Sequence, residues 1–192
     1  MSSNPPWITH FGFTHTPFTK AIAAPDLFAR TAHAEVVARL GYCIAEGTLG
    51  VLVGDVGAGK MVAVRAAVAG LDRTRHHIVY ILNPAFGTRG LYVAIVAALG
   101  ALPRYRKPEL IAQTQDLLAA EAAERHCKVV LILDEAHLLT TEQLEELRLL
   151  TNADMDVTNP FADILVGSRP WPAGCAWVPS PPSTSGLPSV TP

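Results

Sequence analysis

Helical and strand periods alternate along the chain. Val36, Val37, Leu40 and Ile44 recur at helical spacing between His33 and Glu46, and Gly47 stands where such a helix would stop. The apolar run from Leu49 to Val53 predicts a buried strand, and the alanine- and valine-rich stretch after it, residues 60 to about 71, a helix. Ile78 to Leu82 reads as a second strand, Asn83-Pro84 and Gly87 as a turn, and Leu91 to Leu99 as a helix closed by Gly100. An amphipathic helix from Glu109 to about Arg125 leads into the apolar run that starts at Lys128. Thr140-x-x-Gln143 is a capping-box pattern ahead of Leu144, Leu147 and Leu150, which share one helix face. Phe161 to Gly167 is a fourth strand. Four strands alternating with helices predict an α/β domain with a parallel sheet, whose ligands sit at the carboxyl ends of the strands.

Composition narrows the picture only in places. At 192 residues, 49% hydrophobic and 17% charged, the chain suits one globular domain. The net charge of −2 supplies no global field for nucleic acid, so a DNA contact would have to be local; Arg104, Arg106 and Lys107 between Pro103 and Pro108 are the local basic patch. Cys43, Cys127 and Cys175 have no metal-ligand spacing and read as reduced thiols. His76 and His77 point to opposite sides of a strand, which argues against a metal site. No leader-like N-terminus and no 18-residue apolar run is present, which predicts a soluble, cytoplasmic protein without membrane insertion. The aromatic lead-in from Trp7 to Phe18 is expected to tether the N-terminus to a core groove in preference to walling a base pocket.

The chemistry concentrates at two strand ends. Gly54-Asp-Val-Gly-Ala-Gly59-Lys60 has the spacing of a phosphate-binding P-loop, in which glycines let backbone N–H groups converge on an anion, a helix N-terminus adds positive potential and a lysine adds a full charge. The pattern asks for Ser or Thr next, and this chain has Met61. Downstream, the strand Lys128-Val-Val-Leu-Ile-Leu133 ends in Asp134-Glu135-Ala136-His137. An aspartate there can hold Mg²⁺ and its neighbour can polarise a water; the alternative is that the two acids cap the following helix. A P-loop kinase fits less well, because the glutamate suits water activation and no arginine-rich lid is visible. A helicase would need a second motor domain.

Taken together, Phe11-Gly-Phe13 with Pro17-Phe18, the helix at His33-Ala-Glu35, the P-loop, Tyr80-Ile-Leu-Asn-Pro84, and Leu131 to His137 followed by Glu145-Glu-Leu-Arg-Leu-Leu-Thr-Asn152 resemble the bacterial AAA+ ATPases of the ExeA type. That group spans general secretion pathway protein A and the ATP-binding helpers of transposons. The resemblance covers roughly residues 8 to 168 and implies a P-loop NTPase three-layer sandwich with a five-stranded, mostly parallel sheet and a helical lid. It also implies ATP and Mg²⁺ as ligands, and work in a homo-oligomer or with a transposase or secretion partner, through which DNA would be reached. On that basis Gly54, Asp55, Val56, Gly57, Ala58, Gly59 and Lys60, with Met61 beside them, form the phosphate cradle. Lys60 and Glu135 are catalytic, Asp134 is the metal ligand, and Ser168 stands where a γ-phosphate sensor belongs.

Two departures qualify the resemblance. The thioether of Met61 cannot replace a hydroxyl on a hard cation, so nucleotide binding is expected to survive better than hydrolysis, and a non-hydrolysing nucleotide-binding scaffold is the alternative function. From Arg169 the chain turns proline-rich, with Trp171 and Trp177 and no helical or strand period. With GC-rich codons, a neighbouring reading frame of this stretch encodes a helical, basic string similar to the family's sequence after the fourth strand. The expected organisation is an aromatic lead-in over residues 1–32, an ATPase core over 33–168 and a disordered, frameshifted tail over 169–192 that replaces the lid.

Overall fold

The computed structural model describes residues 6–13, 31–151, 159 and 161–168. Within them a short helix α1 (Pro6–His10) precedes α2 (Thr31–Glu46), β1 (Gly50–Val53), α3 (Lys60–Ala69), β2 (His76–Ile81), α4 (Gly87–Ala98), α5 (Lys107–Ala123), β3 (Lys128–Leu133), a 3₁₀ turn (Ala136–Leu138), α6 (Thr141–Thr151) and β4 (Phe161–Gly167). The strands form one sheet in the order β1-β4-β3-β2, every neighbouring pair parallel. The fifth strand and lid implied by the resemblance, Asn152, Pro17-Phe18, Trp171, Trp177 and the rest of the tail lie outside the described residues.

Each boundary has a local cause. Gly47 takes φ +67°, so its N–H reaches the Ile44 carbonyl and the Thr48 N–H reaches that of Cys43, a Schellman ending for α2. Gly100, at φ +81°, closes α4 in the same way through Ala97 and Val96. At the start of α6 the Thr140 N–H donates to Gln143 Oε1 at 3.1 Å while the Gln143 N–H donates to Thr140 Oγ1 at 3.2 Å, the reciprocal box read from the sequence. Gln143 does more than cap: fully buried, it also donates to the Pro84 carbonyl at 2.7 Å and so ties α6 to the loop after β2. We expect Gln143→Leu to cost about 1–3 kcal/mol in urea unfolding, because it orphans the Thr140 helix-start amide and leaves the buried Pro84 carbonyl with the Phe86 N–H as its remaining donor.

The sheet carries helices on both faces. Odd-numbered residues of β3 and β4, among them Leu131, Leu133, Phe161 and Leu165, pack with Leu91, Tyr92, Ile95, Leu110, Leu118 and Leu147 of α4, α5 and α6. The even-numbered set, Val130, Ile132, Ile164 and Val166, packs with Leu40, Ile44 and Val64 of α2 and α3. Strands covered on both sides need apolar residues at consecutive positions, which is why β3 and β4 read as continuous runs. One residue breaks that rule. Asp163 lies on the first face between Phe161 and Leu165, is 2% exposed, and its Oδ1 has no hydrogen-bond partner. Burial alone pushes its carboxyl up to about 8.

The lead-in differs from its expectation. Ile8 is buried, whereas the rings of Trp7, Phe11 and Phe13 are exposed, Trp7 lying edge-on and Phe11 tilted against Phe13. Among the described residues the anchor is aliphatic, and the aromatic rings do not fill a core groove.

Candidate functional site

Parallel strands bring the chemistry of distant segments to one edge. The Gly54 N–H donates to the Gly167 carbonyl at 3.3 Å, which seats the loop after β1 against the end of β4. On the other side of β4, the Asp134 N–H donates to the Ile81 carbonyl at 2.9 Å, continuing the β2–β3 ladder past the end of β3. The loop and the acidic pair therefore face one another across the β4 terminus. A cleft of about 310 Å³ opens between them, lined by Val56, Gly57, Gly59, Lys60, Met61, Val62, Asp134, Glu135 and Ser168.

The loop uses glycine where the backbone demands it. Gly57 and Gly59 sit at φ +81° and +82°, a region that a side chain disfavours, and Gly59 delivers the chain into α3. Lys60, the first residue of that helix, folds back so that its Nζ donates to the carbonyls of Gly54 and Asp55, both at 2.9 Å. A cation held on two neutral carbonyls is easily drawn to an anion, since a charged acceptor binds it more strongly than a carbonyl does. The Ala58 N–H is spent on the Asp55 carbonyl at 3.2 Å. Of the residues expected in the cradle, Gly54, Asp55 and Ala58 shape the loop and do not line the cleft.

The acidic end is more tightly organised. Asp134 is 9% exposed; its Oδ1 accepts from the Glu135 N–H at 2.9 Å and its Oδ2 from the Tyr80 hydroxyl at 3.0 Å. The partial burial of Tyr80 and its bond to Asp134 together push the phenol up to about 12, so it stays a donor at any physiological pH. Glu135 adopts φ +53°, a left-handed conformation uncommon for a residue with a side chain. Its half-exposed carboxylate lies beside His137, with Oε2 3.3 Å from Nδ1. Ser168 reaches the same ring, its N and Oγ both 3.4 Å from Nδ1. The alternative that the two acids cap the following helix is not met: Glu135 holds the N-cap position of the 3₁₀ turn without a side-chain cap bond, and α6 is capped by Thr140 with Gln143.

Three contacts around the cleft were not singled out from the sequence. Tyr80 belongs to the neighbouring strand, and only the register that pairs Tyr80 with Ile132 shows that it reaches Asp134. His137 is explained by a three-residue turn. His33, near the start of α2, places Nε2 3.3 Å from the Gly59 carbonyl, a contact across 26 positions with no local signal. Elsewhere, His76 and His77 do take separate partners, the Asp72 carbonyl and Glu121. In the basic loop Lys107 pairs with Glu146 at 2.6 Å, and Arg89 lies over the Tyr105 ring and bonds its carbonyl. Among the described residues no helix is long and apolar enough to cross a membrane.

Comparison with known proteins agrees with this geometry. Over 162 residues, 82% of this chain, the sequence is 36% identical to general secretion pathway protein A of Aeromonas hydrophila, of which it spans 29%. The fold is similar to Cdc6p from Pyrobaculum aerophilum, with a TM-score of 0.60 and 22% identity over 79% of this chain and 42% of that one. It is also similar to the ORC2 protein of Aeropyrum pernix, described in ADPNP and ADP complexes, with a TM-score of 0.58 and 20% identity over 79% of this chain and 44% of that one. Residues 44–171 match the AAA domain family, a stretch that runs from the end of α2 through the loop, the acidic pair and β4. The chain belongs to the AAA domain family, with an α/β P-loop core related to general secretion pathway protein A.

Proposed function

We propose that this chain binds ATP with Mg²⁺ in the cleft and hydrolyses it slowly, as the ATPase domain of an assembly serving transposition or secretion. The observation that carries this is the meeting, in one cleft, of a lysine-bearing glycine loop and a pair of carboxylates more than 70 positions later in the chain. The residues present suit the ligands. The amides of Gly57 and Gly59, the N-terminus of α3 and the Lys60 ammonium offer positive potential to phosphate oxygens. Asp134, buried and already oriented by Tyr80, is the hard oxygen ligand for Mg²⁺, a cation that is satisfied by one carboxylate with phosphates and waters. The bound cation would neutralise phosphate charge, and Glu135 would take the proton of an attacking water. Ser168, at the end of β4, would meet the terminal phosphate.

By this reading residues 33–168 are the ATPase core, 1–32 a lead-in and 169–192 a frameshifted tail, and the protein works in the cytoplasm beside copies of itself or a transposase or secretion partner that holds any DNA. Met61 favours a second reading, a nucleotide-dependent scaffold without turnover, since the cleft offers its thioether where a hydroxyl ligand belongs. Titration with ATP and a separate turnover assay distinguish the two. Lys60→Ala should weaken ATP binding by roughly 10- to 100-fold, the worth of charge-assisted bonds to phosphate. Glu135→Gln should leave binding intact and remove turnover. Equal affinity of wild type and Lys60→Ala would refute the site.

A further inference from the structure

His33 touches the glycine loop at the peptide that turns it into α3. Its Nε2 lies 3.3 Å from the Gly59 carbonyl, and because a carbonyl only accepts, Nε2 carries the hydrogen and donates. The same oxygen accepts the Ala63 N–H at 3.1 Å, the opening hydrogen bond of α3. Bonds at a helix end are the first to fray. Gly59 does little to resist that fraying, because it stands at φ +82° with no side chain to limit its rotation. Bracing from outside is sparse. Among the described residues, and apart from its chain neighbours, only the His33 ring comes within 4 Å of where a Gly59 side chain would begin, at 3.6 Å. The ring itself is placed by helix packing, since Leu40 and Ile44 anchor α2 in one core cluster with Val64 of α3.

We propose that His33 is a positioning residue for phosphate: by holding the Gly59 carbonyl it aims the Lys60 N–H into the cleft, a role that rests on reading the cleft as an ATP site. The link is the peptide plane. The Gly59 C=O and the Lys60 N–H belong to one planar trans unit and point in opposite directions, so a donor that fixes the oxygen fixes the hydrogen. The oxygen is turned toward Ala63 and His33, and the N–H toward the open start of α3, where Gly59 and Lys60 line the cleft. That N–H is one of the orphan donors of a helix start, which an anion satisfies. A hydrogen bond received by the carbonyl also polarises the amide and makes its N–H a stronger donor. Without His33 the peptide swings about its glycine, and the cost of ordering it falls on phosphate binding. The group aimed is a backbone amide at the phosphate cradle, so ADP, ATP and a bare polyphosphate should all feel its loss.

Gly59–Lys60 is the only Gly–Lys pair in the chain, so the full protein labelled with [1-¹³C]glycine and ¹⁵N-lysine gives a single carbonyl-coupled amide signal, that of Lys60. In the unliganded protein His33→Leu should lower the Gly59 carbonyl shift and move the Lys60 amide. His33→Gln, whose amide nitrogen reaches the Nε2 position, should return both toward wild type, and His33→Asn, one methylene shorter, should not. Affinities for ADP, a non-hydrolysable ATP analogue and tripolyphosphate, each with Mg²⁺, should fall together by roughly 3- to 10-fold in His33→Leu and His33→Asn, the worth of one ordinary hydrogen bond, and recover in His33→Gln. Loss confined to the two nucleotides, with tripolyphosphate unchanged, would make His33 a contact of the base and overturn the proposal. A loss that His33→Gln does not recover would mark the residue as merely structural and overturn it too. Unchanged affinities in His33→Leu would refute the positioning role while leaving the site reading standing; absence of binding of all three ligands by the wild type would take both down.

Discussion

Asp163→Asn should abolish most of the pH dependence of folding between pH 4 and pH 8 and make the protein more stable at pH 8 by on the order of 4 kcal/mol. In the folded chain the Asp163 carboxyl is pushed up to about 8 by burial, while in the unfolded chain it ionises near its ordinary value of 3.8. Between those values the folded state holds a proton that the unfolded state has released, so stability falls as pH rises. Below pH 4 both states are protonated and the penalty vanishes. Glu146 works in the opposite sense: Lys107 first, and then Tyr92, hold its carboxyl below the ordinary value of 4.5, so its contribution is lost only as the pH falls through that lower range. The Glu146 window lies below 4.5 and meets that of Asp163 only at its acid end. Asparagine keeps the size and the polar atoms of the side chain but cannot ionise, so the variant isolates charge from packing. Urea unfolding from pH 4 to pH 9 reads the slope. Parallel curves for wild type and Asp163→Asn would show that Asp163 is not the buried proton holder.

How much of this was legible beforehand depended on whether the cause was local. The four strands, the Gly47 and Gly100 stops and the Thr140–Gln143 box were all readable, because apolar period, positive φ and capping are set within a few residues. So was the union of Lys60 with Asp134 and Glu135, since parallel strands deliver their carboxyl ends to a common edge. The contacts that tune those groups were not. Tyr80 meets Asp134, and His33 meets Gly59, only through strand register and helix packing. The expectation for Trp7, Phe11 and Phe13 failed for a related reason: an aromatic cluster can satisfy itself ring against ring at the surface as readily as in a groove. Asp163 sits inside a run that reads correctly as a strand, and nothing in a period-2 pattern tells whether its one polar residue faces water or a second layer of helices.

Met61→Thr should raise ATP turnover by roughly 10²–10³, the scale on which removal of one preorganised electrostatic contact lowers catalytic rates. Met61 is the second residue of α3 and lines the cleft beside Lys60, so a hydroxyl at this position lies within the proposed site, where Asp134 would supply the other hard oxygen. Nucleotide affinity should change much less, by under roughly tenfold, because the loop amides and Lys60 carry most of the phosphate contact in ground state and transition state alike. The substitution has a structural cost that the sequence does not reveal. Met61 also packs, half-buried, against the Leu40, Ile44 and Val64 cluster beneath the loop, and shortening it should lower stability by about 1 kcal/mol. Turnover is therefore compared well below the melting temperature of both proteins and across a series of Mg²⁺ concentrations. A rise in rate with a lower Mg²⁺ requirement identifies the missing ligand. An unchanged rate at saturating Mg²⁺, with ATP bound and the fold intact, would mean that the limiting element lies outside this cleft.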